Sequence, residues 1–323
     1  MAGLETYIFD NFANKNNLDA LISSFKKESF VPFIGAGPSI VLGSPDWKDL
    51  ITKVRATFSL KNFRKVKHND GKVDYPRTFS SLFKKLNATG ITAERFYKEL
   101  FDCLKPTKTE ATWFHLKLVK LFDSYVTTNY DSPIEKAFEE HYGKPPTKYF
   151  FSCYGINNFK DCIVYLHGHK EINFCIIKTE DYDYFYPTVS KKTGMPILQD
   201  FLSEIFMKKN IIFVGFSFDD VYLEKYITYL HTTEPFRNCH YWLLSESADA
   251  FIKIMQRVEE YKTLGSFDKA TDEISNFFSG RMNIKPIVYK EGEHIFIEHL
   301  FQKLMESLPA VIKPGDVSGV PVR

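Results

Sequence analysis

The sequence contains few cysteines, and no two of them have a Cys-x-x-Cys spacing. The 323 residues include five, which are Cys103, Cys153, Cys162, Cys175 and Cys239. An odd number of scattered thiols argues against a disulfide framework, and the missing pairs argue against a four-thiolate zinc site. A chain of this length can bury a sufficient core without such crosslinks. We therefore expect a cytoplasmic protein that binds no metal.

A marked excess of one charge is also absent. The chain has 42 Lys and Arg residues against 40 Asp and Glu residues, which gives a formal net charge of +2. Proteins that work mainly by neutralising phosphates carry a larger basic excess. The short basic run at residues 61–68 is typical of a solvated loop or helix face. Direct binding of nucleic acid is therefore not expected.

Long apolar runs are the third absence. The N-terminus lacks the basic and apolar regions of a signal peptide, and the longest apolar run, IIFVGFSF at residues 211–218, is too short to cross a bilayer. These features predict neither secretion nor membrane association.

Six short apolar runs alternate with segments of helical periodicity. The runs are FVPFI, SYVTT, CIVYL, NIIFV, HYWLL and IKPIVY, beginning at residues 30, 124, 162, 210, 240 and 284. Uninterrupted apolar strands separated by helices are typical of a parallel sheet that is covered on both faces. The sequence therefore predicts an α/β fold, Rossmann-like and doubly wound, with a mainly parallel six-stranded sheet.

Other segments define the expected domain organisation. Residues 1–308 are predicted to form one catalytic domain, in which the stretches at about 60–110 and 144–205 are insertions that build a smaller, mostly helical lobe. The segment 309–323 has the composition of a tail or linker. Asn16 or Asn17 is expected to cap the first helix.

Small, polar and titratable residues follow four of the predicted strands. In open α/β sheets, ligands bind outside the carboxyl ends of the strands, so these residues are candidates for a site. They are Gly35-Ala36-Gly37-Pro38-Ser39, Asn129-Tyr130-Asp131, His167-Gly168-His169 and Gly215-Phe216-Ser217-Phe218-Asp219-Asp220.

Each of these groups has a functional and a structural interpretation. Glycines before a helix let backbone approach a phosphate, but Ile40 replaces the third glycine of the dinucleotide fingerprint, so taken alone these glycines favour a simple tight turn. His167, with an ordinary pKa near ~6.5, suits a general base, or it binds a neighbouring loop. Asn129 and Asp131 suit a polar site, or they cap a helix that begins near Ser132.

The order of five motifs resembles the sirtuin family. GAGPS, GSPDW, TTNYD, LHGH and GFSFDD follow one another between about residues 30 and 220, and the set is similar to the sirtuin-like NAD hydrolases of bacterial antiphage defence systems. The resemblance implies a Rossmann-like domain and a smaller lobe with NAD bound between them. It implies NAD as the substrate and no metal.

The resemblance also implies roles for individual residues. Asn129 and His167 would be the catalytic pair, and Asp131 would lie near the nicotinamide carboxamide. The remaining NAD-binding residues would be Gly35, Ala36, Gly37 and Ser39 at the diphosphate, Gly215 and Ser217 at the adenosine side with Asp219 in the same loop, and Asp46 and Trp47 in the cofactor loop. The aromatic run at residues 181–186 either walls the nicotinamide side or packs in the core.

Two departures from the family's deacylases favour cleavage of NAD by water. The paired Cys-x-x-Cys motifs of their zinc ribbon are missing, and Trp47 and Lys48 replace a phenylalanine and an arginine. The resemblance then implies a NAD glycohydrolase that releases nicotinamide and ADP-ribose and depletes NAD after infection. Such a toxic activity is expected to be controlled by homo-oligomerisation, or by a partner protein or sensor domain such as a defence ATPase. The alternatives are a NAD- or ADP-ribose-sensing module without turnover and a NAD-dependent protein deacylase.

Overall fold

The structure is a computed structural model that describes residues 4–8, 12–68, 71, 73–108, 111–153, 159–186, 196–216, 221–245, 267–290 and 295–308. The strands are β1 Phe30–Ile34, β2 Ser124–Thr127, β3 Thr147–Phe150, β4 Cys162–Tyr165, β5 Gly168–His169, β6 Phe174–Cys175, β7 Asn210–Val214, β8 His240–Ser245 and β9 Ile284–Tyr289. The α-helices are α1 Phe12–Phe25, α2 Gly37–Val41, α3 Trp47–Thr57, α4 Tyr75–Asn87, α5 Ala93–Leu104, α6 Trp113–Leu121, α7 Pro133–Tyr142, α8 Thr179–Phe185, α9 Pro196–Lys208, α10 Val221–Thr233, α11 Phe267–Met282 and α12 Ile295–Ser307.

Seven of the strands form one parallel sheet. Their order is β3-β4-β2-β1-β7-β8-β9, and every pair of neighbours is parallel. The predicted α/β, doubly wound fold is confirmed, but the sheet has seven strands instead of six. The added strand is β3, whose sequence TKYF lies at an edge and is only partly buried. A search for continuous apolar runs misses such a strand because its composition is not apolar.

Helices cover both faces of the sheet, and alternate residues of each strand point to opposite faces. Phe33 packs into a core cluster with residues of α9, α10 and α11, while its neighbour Ile34 packs into a second cluster with α1, α6, α7 and α12. Both side chains are almost fully buried. This two-sided burial is why the strands are apolar at consecutive positions instead of at every second one.

Helix α1 is attached to the outer strand β9 by two asparagines. The Asn14 amide donates to Val288 O at 2.8 Å and accepts from Val288 N at 2.8 Å, and Asn17 Nδ2 donates to Pro286 O at 2.8 Å. The predicted cap at Asn16 or Asn17 is wrong because α1 already begins at Phe12. The asparagines satisfy the backbone of an outer strand, a contact that sequence spacing does not indicate.

Helices α3, α4 and α5 form a third hydrophobic cluster with the hairpin β5–β6. Leu50, Phe79 and Phe96 pack there against Cys175 and Ile177. This helical layer includes part of the stretch at about 60–110, whereas β3 and β4 of the stretch at about 144–205 lie in the main sheet. The segment 309–323 lies outside the described residues. Across the described ranges, no helix combines the length and the apolar character that a membrane span requires.

Candidate functional site

The strand order reverses at β1. The chain runs from β1 to β2 and β4 on one side, and later to β7, β8 and β9 on the other. Carboxyl ends of parallel strands at such a reversal form the crevice in which open α/β sheets bind ligands. The loops that follow β1, β2, β4 and β7 are therefore in the position where the sequence predicted a site.

The glycines of the loop after β1 pack directly on the loop after β7. Gly35 N donates to Val214 O at 3.0 Å, and Gly37 N donates to Gly215 O at 2.9 Å. A Cβ atom on Gly37 would lie 2.8 Å from Gly215 Cα, and one on Gly215 would overlap Pro38. Gly215 also has a φ of 63°, in the left-handed region. The glycines are required for this contact between two loops.

The same hydrogen bonds bear on how a diphosphate could bind. Besides Gly37, the amides of Ser39 and Ile40 donate to Ala36 O at 3.0 Å, and Pro38 has no N–H. In this structure the amides of the first turn of α2 therefore already donate hydrogen bonds to backbone carbonyls of the protein. Gly35, Ala36, Gly37 and Ser39 remain candidates for lining a diphosphate, with Ala36 exposed and Ser39 buried.

Asn129 does not cap α7. Its Nδ2 donates to Gly35 O at 2.8 Å and to Ser39 Oγ at 2.9 Å, and its backbone N–H donates to Thr127 Oγ1 at 3.0 Å. Helix α7 instead begins after Ser132. Both amide hydrogens of Asn129 are therefore engaged, which fixes the side chain and leaves its Oδ1 as the atom available to accept a hydrogen bond.

Asp131 is held by residues of the segment that follows β1. Ser44 Oγ donates to Asp131 Oδ2 at 3.3 Å, and the Ser39 hydroxyl lies near enough to the carboxylate to lower its pKa. Burial raises the pKa of Asp131, because the loss of solvation outweighs the effects of Ser39 and Ser44. Ser39 thus lies between Asn129 and Asp131. Ser44 belongs to the GSPDW motif, but no role in the site was predicted for it from the sequence.

His167 follows β4, the strand next to β2, and its side chain is only 3% exposed. The β2–β4 register pairs Thr127 with Tyr165, so Asn129 and His167 each come two residues after paired positions. Burial lowers the pKa of His167 to about 3, and the ring is neutral at physiological pH. The pKa expected from the sequence, near ~6.5, is therefore corrected.

Three tyrosines adjoin His167, and the ring of one of them, Tyr182, lies edge-on with its centroid 5.6 Å from that of the imidazole. Tyr186 OH lies 2.9 Å from His167 Nε2, and Tyr186 is 3% exposed. The ring of Tyr130 is 6.5 Å from the His167 ring, and its hydroxyl donates to Ile176 O at 2.8 Å. Tyr186 comes from the aromatic run that the sequence placed either in the core or beside the site. It is buried in the core and also contacts the predicted catalytic histidine.

The remaining predicted contacts lie in two loops. Asp46 is exposed and accepts from Asp49 N at 2.7 Å as the N-cap of α3, while Trp47 stacks on Tyr75 with ring centroids 5.8 Å apart. A groove of about 450 Å³ runs beside this loop and is lined in part by Ser44 and Asp46. Ser217 and Asp219 lie outside the described residues.

A second polar cluster surrounds the side chain of Glu135. Tyr165 OH donates to Glu135 Oε1 at 2.6 Å, His169 Nε2 lies 3.4 Å from the same oxygen, and Lys148 Nζ lies 3.2 Å from Oε2. Burial alone would raise the pKa of Glu135, but these three neighbours together lower it to about 2. The cluster connects the first turn of α7 to β4. No group of three or more His, Cys, Asp or Glu side chains within the described ranges is arranged to hold a metal ion.

The chain is similar in sequence to known proteins. Residues 123–264 match the family described as SIR2-like domain, a range that includes Asn129, Asp131, His167 and Gly215. A NAD(+) hydrolase ThsA of Enterococcus faecium is 25% identical over 265 residues, which are 79% of this chain and 48% of that protein. The protein of the same name from Acinetobacter baumannii is 27% identical over 211 residues, which are 64% of this chain and 40% of that protein. The one from Cytobacillus dafuensis is 22% identical over 298 residues, which are 89% of this chain and 56% of that protein.

The chain thus spans about half the length of the curated relatives it matches. The predicted resemblance to sirtuin-like proteins is confirmed.

Proposed function

We propose that this sirtuin-like chain is a NAD glycohydrolase. It would convert NAD⁺ and water to nicotinamide, ADP-ribose and a proton. The observation that carries the proposal is the fixed Asn129 side chain, bound to Gly35 O and Ser39 Oγ where the strand order reverses, with His167 following the adjacent strand. The names of the similar proteins support the same reaction.

The reaction requires positioned polar groups at the ribose. Breaking the bond from nicotinamide to ribose sends the bonding electrons to nicotinamide and leaves an oxocarbenium-like ribose carbon, which water then attacks. We assign to Asn129 Oδ1 the role of accepting a hydrogen bond from that water or from a ribose hydroxyl. Because Ser39 and Gly35 O hold the amide before substrate arrives, little reorganisation is needed.

His167 is proposed as the proton acceptor. Its neutral ring can take a proton from a ribose hydroxyl or from the hydrogen-bond chain that the hydroxyl joins. Asp131 is proposed to accept a hydrogen bond from the nicotinamide carboxamide. That bond would favour the ionised carboxylate, whose pKa burial otherwise raises.

The other NAD contacts remain as the family resemblance implies them. Gly35, Ala36, Gly37 and Ser39 would line the diphosphate, and Gly215, Ser217 and Asp219 would line the adenosine side. Asp46 and Trp47 would border the entrance, beside the groove that contains Ser44 and Asp46.

The proposed biological role is depletion of NAD in bacterial antiphage defence. An enzyme that consumes NAD must be restrained in an uninfected cell, so we propose control by homo-oligomerisation or by a partner protein or sensor domain. The five cysteines, none of which forms a disulfide, support a reducing cytoplasm as the compartment of the protein.

One assay separates this function from its alternatives. The purified chain is incubated with NAD as the only substrate, with and without candidate partner proteins, and free nicotinamide is followed over time and over a range of protein concentrations. A NAD glycohydrolase releases nicotinamide without any other substrate. A deacylase releases it only with an acylated peptide, and a sensing module binds NAD without releasing nicotinamide. Either of the last two results would refute the proposal.

A further inference from the structure

His167 needs a second hydrogen-bond partner if it is to accept a proton inside the protein. A neutral imidazole has one N–H donor and one acceptor nitrogen, whereas the protonated ring donates from both. A buried ring therefore requires an acceptor at the nitrogen that does not take the proton, because an unsatisfied charged donor is strongly destabilised. The atom placed at Nε2 is the hydroxyl oxygen of Tyr186, 2.9 Å away.

The surroundings hold Tyr186 in this position. Its backbone N–H donates to Tyr182 O at 2.8 Å at the end of α8, and its ring stacks on Tyr182 and meets the Tyr226 ring edge-on, with centroids 6.1 Å apart in both cases. The side chain is 3% exposed. The Tyr186 side chain is therefore already ordered, and it loses no further conformational entropy when its hydroxyl binds the imidazole.

We propose that Tyr186 is a positioning residue for His167. Its hydroxyl oxygen accepts the Nε2–H, fixes that tautomer in the neutral ring, and stays bound when Nδ1 takes the proton. In that step the O–H bond of the ribose hydroxyl breaks and its electron pair stays on the ribose oxygen, while an N–H bond forms at Nδ1. The hydrogen bond from Nε2–H to the Tyr186 oxygen stabilises the positively charged ring, and the ribose oxygen regains a proton when water adds to the ribose carbon. This inference rests on the proposed function of the same site.

Substitution Tyr186→Phe removes the hydroxyl and keeps the ring. We expect kcat for nicotinamide release to fall about 10- to 100-fold, as for loss of a hydrogen bond to a charged group, with KM for NAD little changed. The matched control is Tyr226→Phe, which removes a hydroxyl from the same aromatic cluster and should retain the wild-type kcat. Equal losses in both variants would overturn the proposal, since they would show a general packing effect.

A double-mutant cycle tests whether Tyr186 acts through His167. In a His167→Ala background, Tyr186→Phe should reduce residual activity by less than twofold, because the partner is already absent. A full additional loss in that background would contradict the proposed coupling.

A spectroscopic readout keeps the inference separate from the activity. In ¹⁵N-histidine spectra of the wild-type chain, with the His167 signals assigned by their absence in His167→Ala, we expect the Nε2–H tautomer, and a change of tautomer population in Tyr186→Phe. Finding Nδ1–H in the wild type would overturn the inference even if NAD is cleaved. If NAD is not cleaved but the tautomer is as expected, the proposed function fails while the positioning contact stands.

Discussion

Ser39 lies between the two polar side chains of the candidate site. Its hydroxyl accepts from Asn129 Nδ2 at 2.9 Å and lies near enough to the Asp131 carboxylate to lower its pKa. It is 4% exposed, so water cannot readily replace it. At the residue scale, the precision of the site therefore depends on a serine that the sequence suggested only as a diphosphate contact.

Substitution Ser39→Ala should slow NAD cleavage by roughly 10-fold, because it frees one amide hydrogen of Asn129 and removes a polar neighbour of the Asp131 carboxylate. Steady-state nicotinamide release measures the effect. Ser44→Ala is the graded control, since its longer 3.3 Å bond reaches Asp131 alone, and its loss should be smaller. Equal activity of Ser39→Ala and wild type would show that the Ser39 hydroxyl has no catalytic role.

Gly215 allows the loops after β1 and β7 to approach each other closely. Substitution Gly215→Ala should destabilise the fold by more than Gly90→Ala, which has a similar left-handed backbone at φ 87° but open space around its Cβ position. The strained backbone alone is worth about 1–2 kcal/mol, and overlap with Pro38 adds to it only at Gly215. Urea denaturation gives both values. Equal losses would mean that the loops can separate without penalty.

At the scale of elements, α1 is tied to the outer strand β9 through Asn14. Substitution Asn14→Ala removes two hydrogen bonds to the Val288 backbone and leaves buried polar groups unpaired, so we expect a loss of about 2–3 kcal/mol in the free energy of unfolding. Asn16→Ala, at an exposed position in the same helix, is the control and should change stability by less than about 0.5 kcal/mol. A urea midpoint for Asn14→Ala equal to that of Asn16→Ala would contradict this role.

The elements also show what sequence patterns can and cannot provide. Six strands were predicted because buried parallel strands are continuously apolar, and β3 was missed because this edge strand is only partly buried and its sequence TKYF is not a continuous apolar run. The loops of the site were predicted because all strands of a parallel sheet end at the same edge, so the residues that follow them lie close together. Contacts made by side chains across the fold, such as Asn14 to Val288 and Tyr186 to His167, depend on tertiary packing that no local pattern encodes.

At the scale of the whole molecule, three of the four buried histidines in the described ranges have a lowered pKa and are neutral. Burial lowers the pKa of His115 to about 4 and those of His167 and His240 to about 3. Below pH ~6.5 the unfolded chain binds protons at these histidines that the folded protein does not, so folding becomes less favourable as the pH falls. Each histidine contributes at most about 1.4 kcal/mol per pH unit.

The free energy of unfolding should therefore fall steadily between about pH 6.5 and pH 5, as measured by urea denaturation at a series of pH values. In His115→Gln the slope should be shallower, because one of the three buried groups no longer titrates in the unfolded chain. A stability that stays constant across this range would contradict the burial of the three rings.

The central claim is that Asn129, fixed by Ser39 and Gly35, catalyses cleavage of NAD after NAD has bound. The most direct measurement compares wild type with Asn129→Ala for NAD binding by calorimetry and for nicotinamide release by chromatography, with Asn16→Ala as the control. We predict that Asn129→Ala binds NAD within a fewfold of wild type and loses at least about 100-fold in nicotinamide release, whereas Asn16→Ala matches wild type in both. Nicotinamide release by Asn129→Ala at the wild-type rate would contradict the claim.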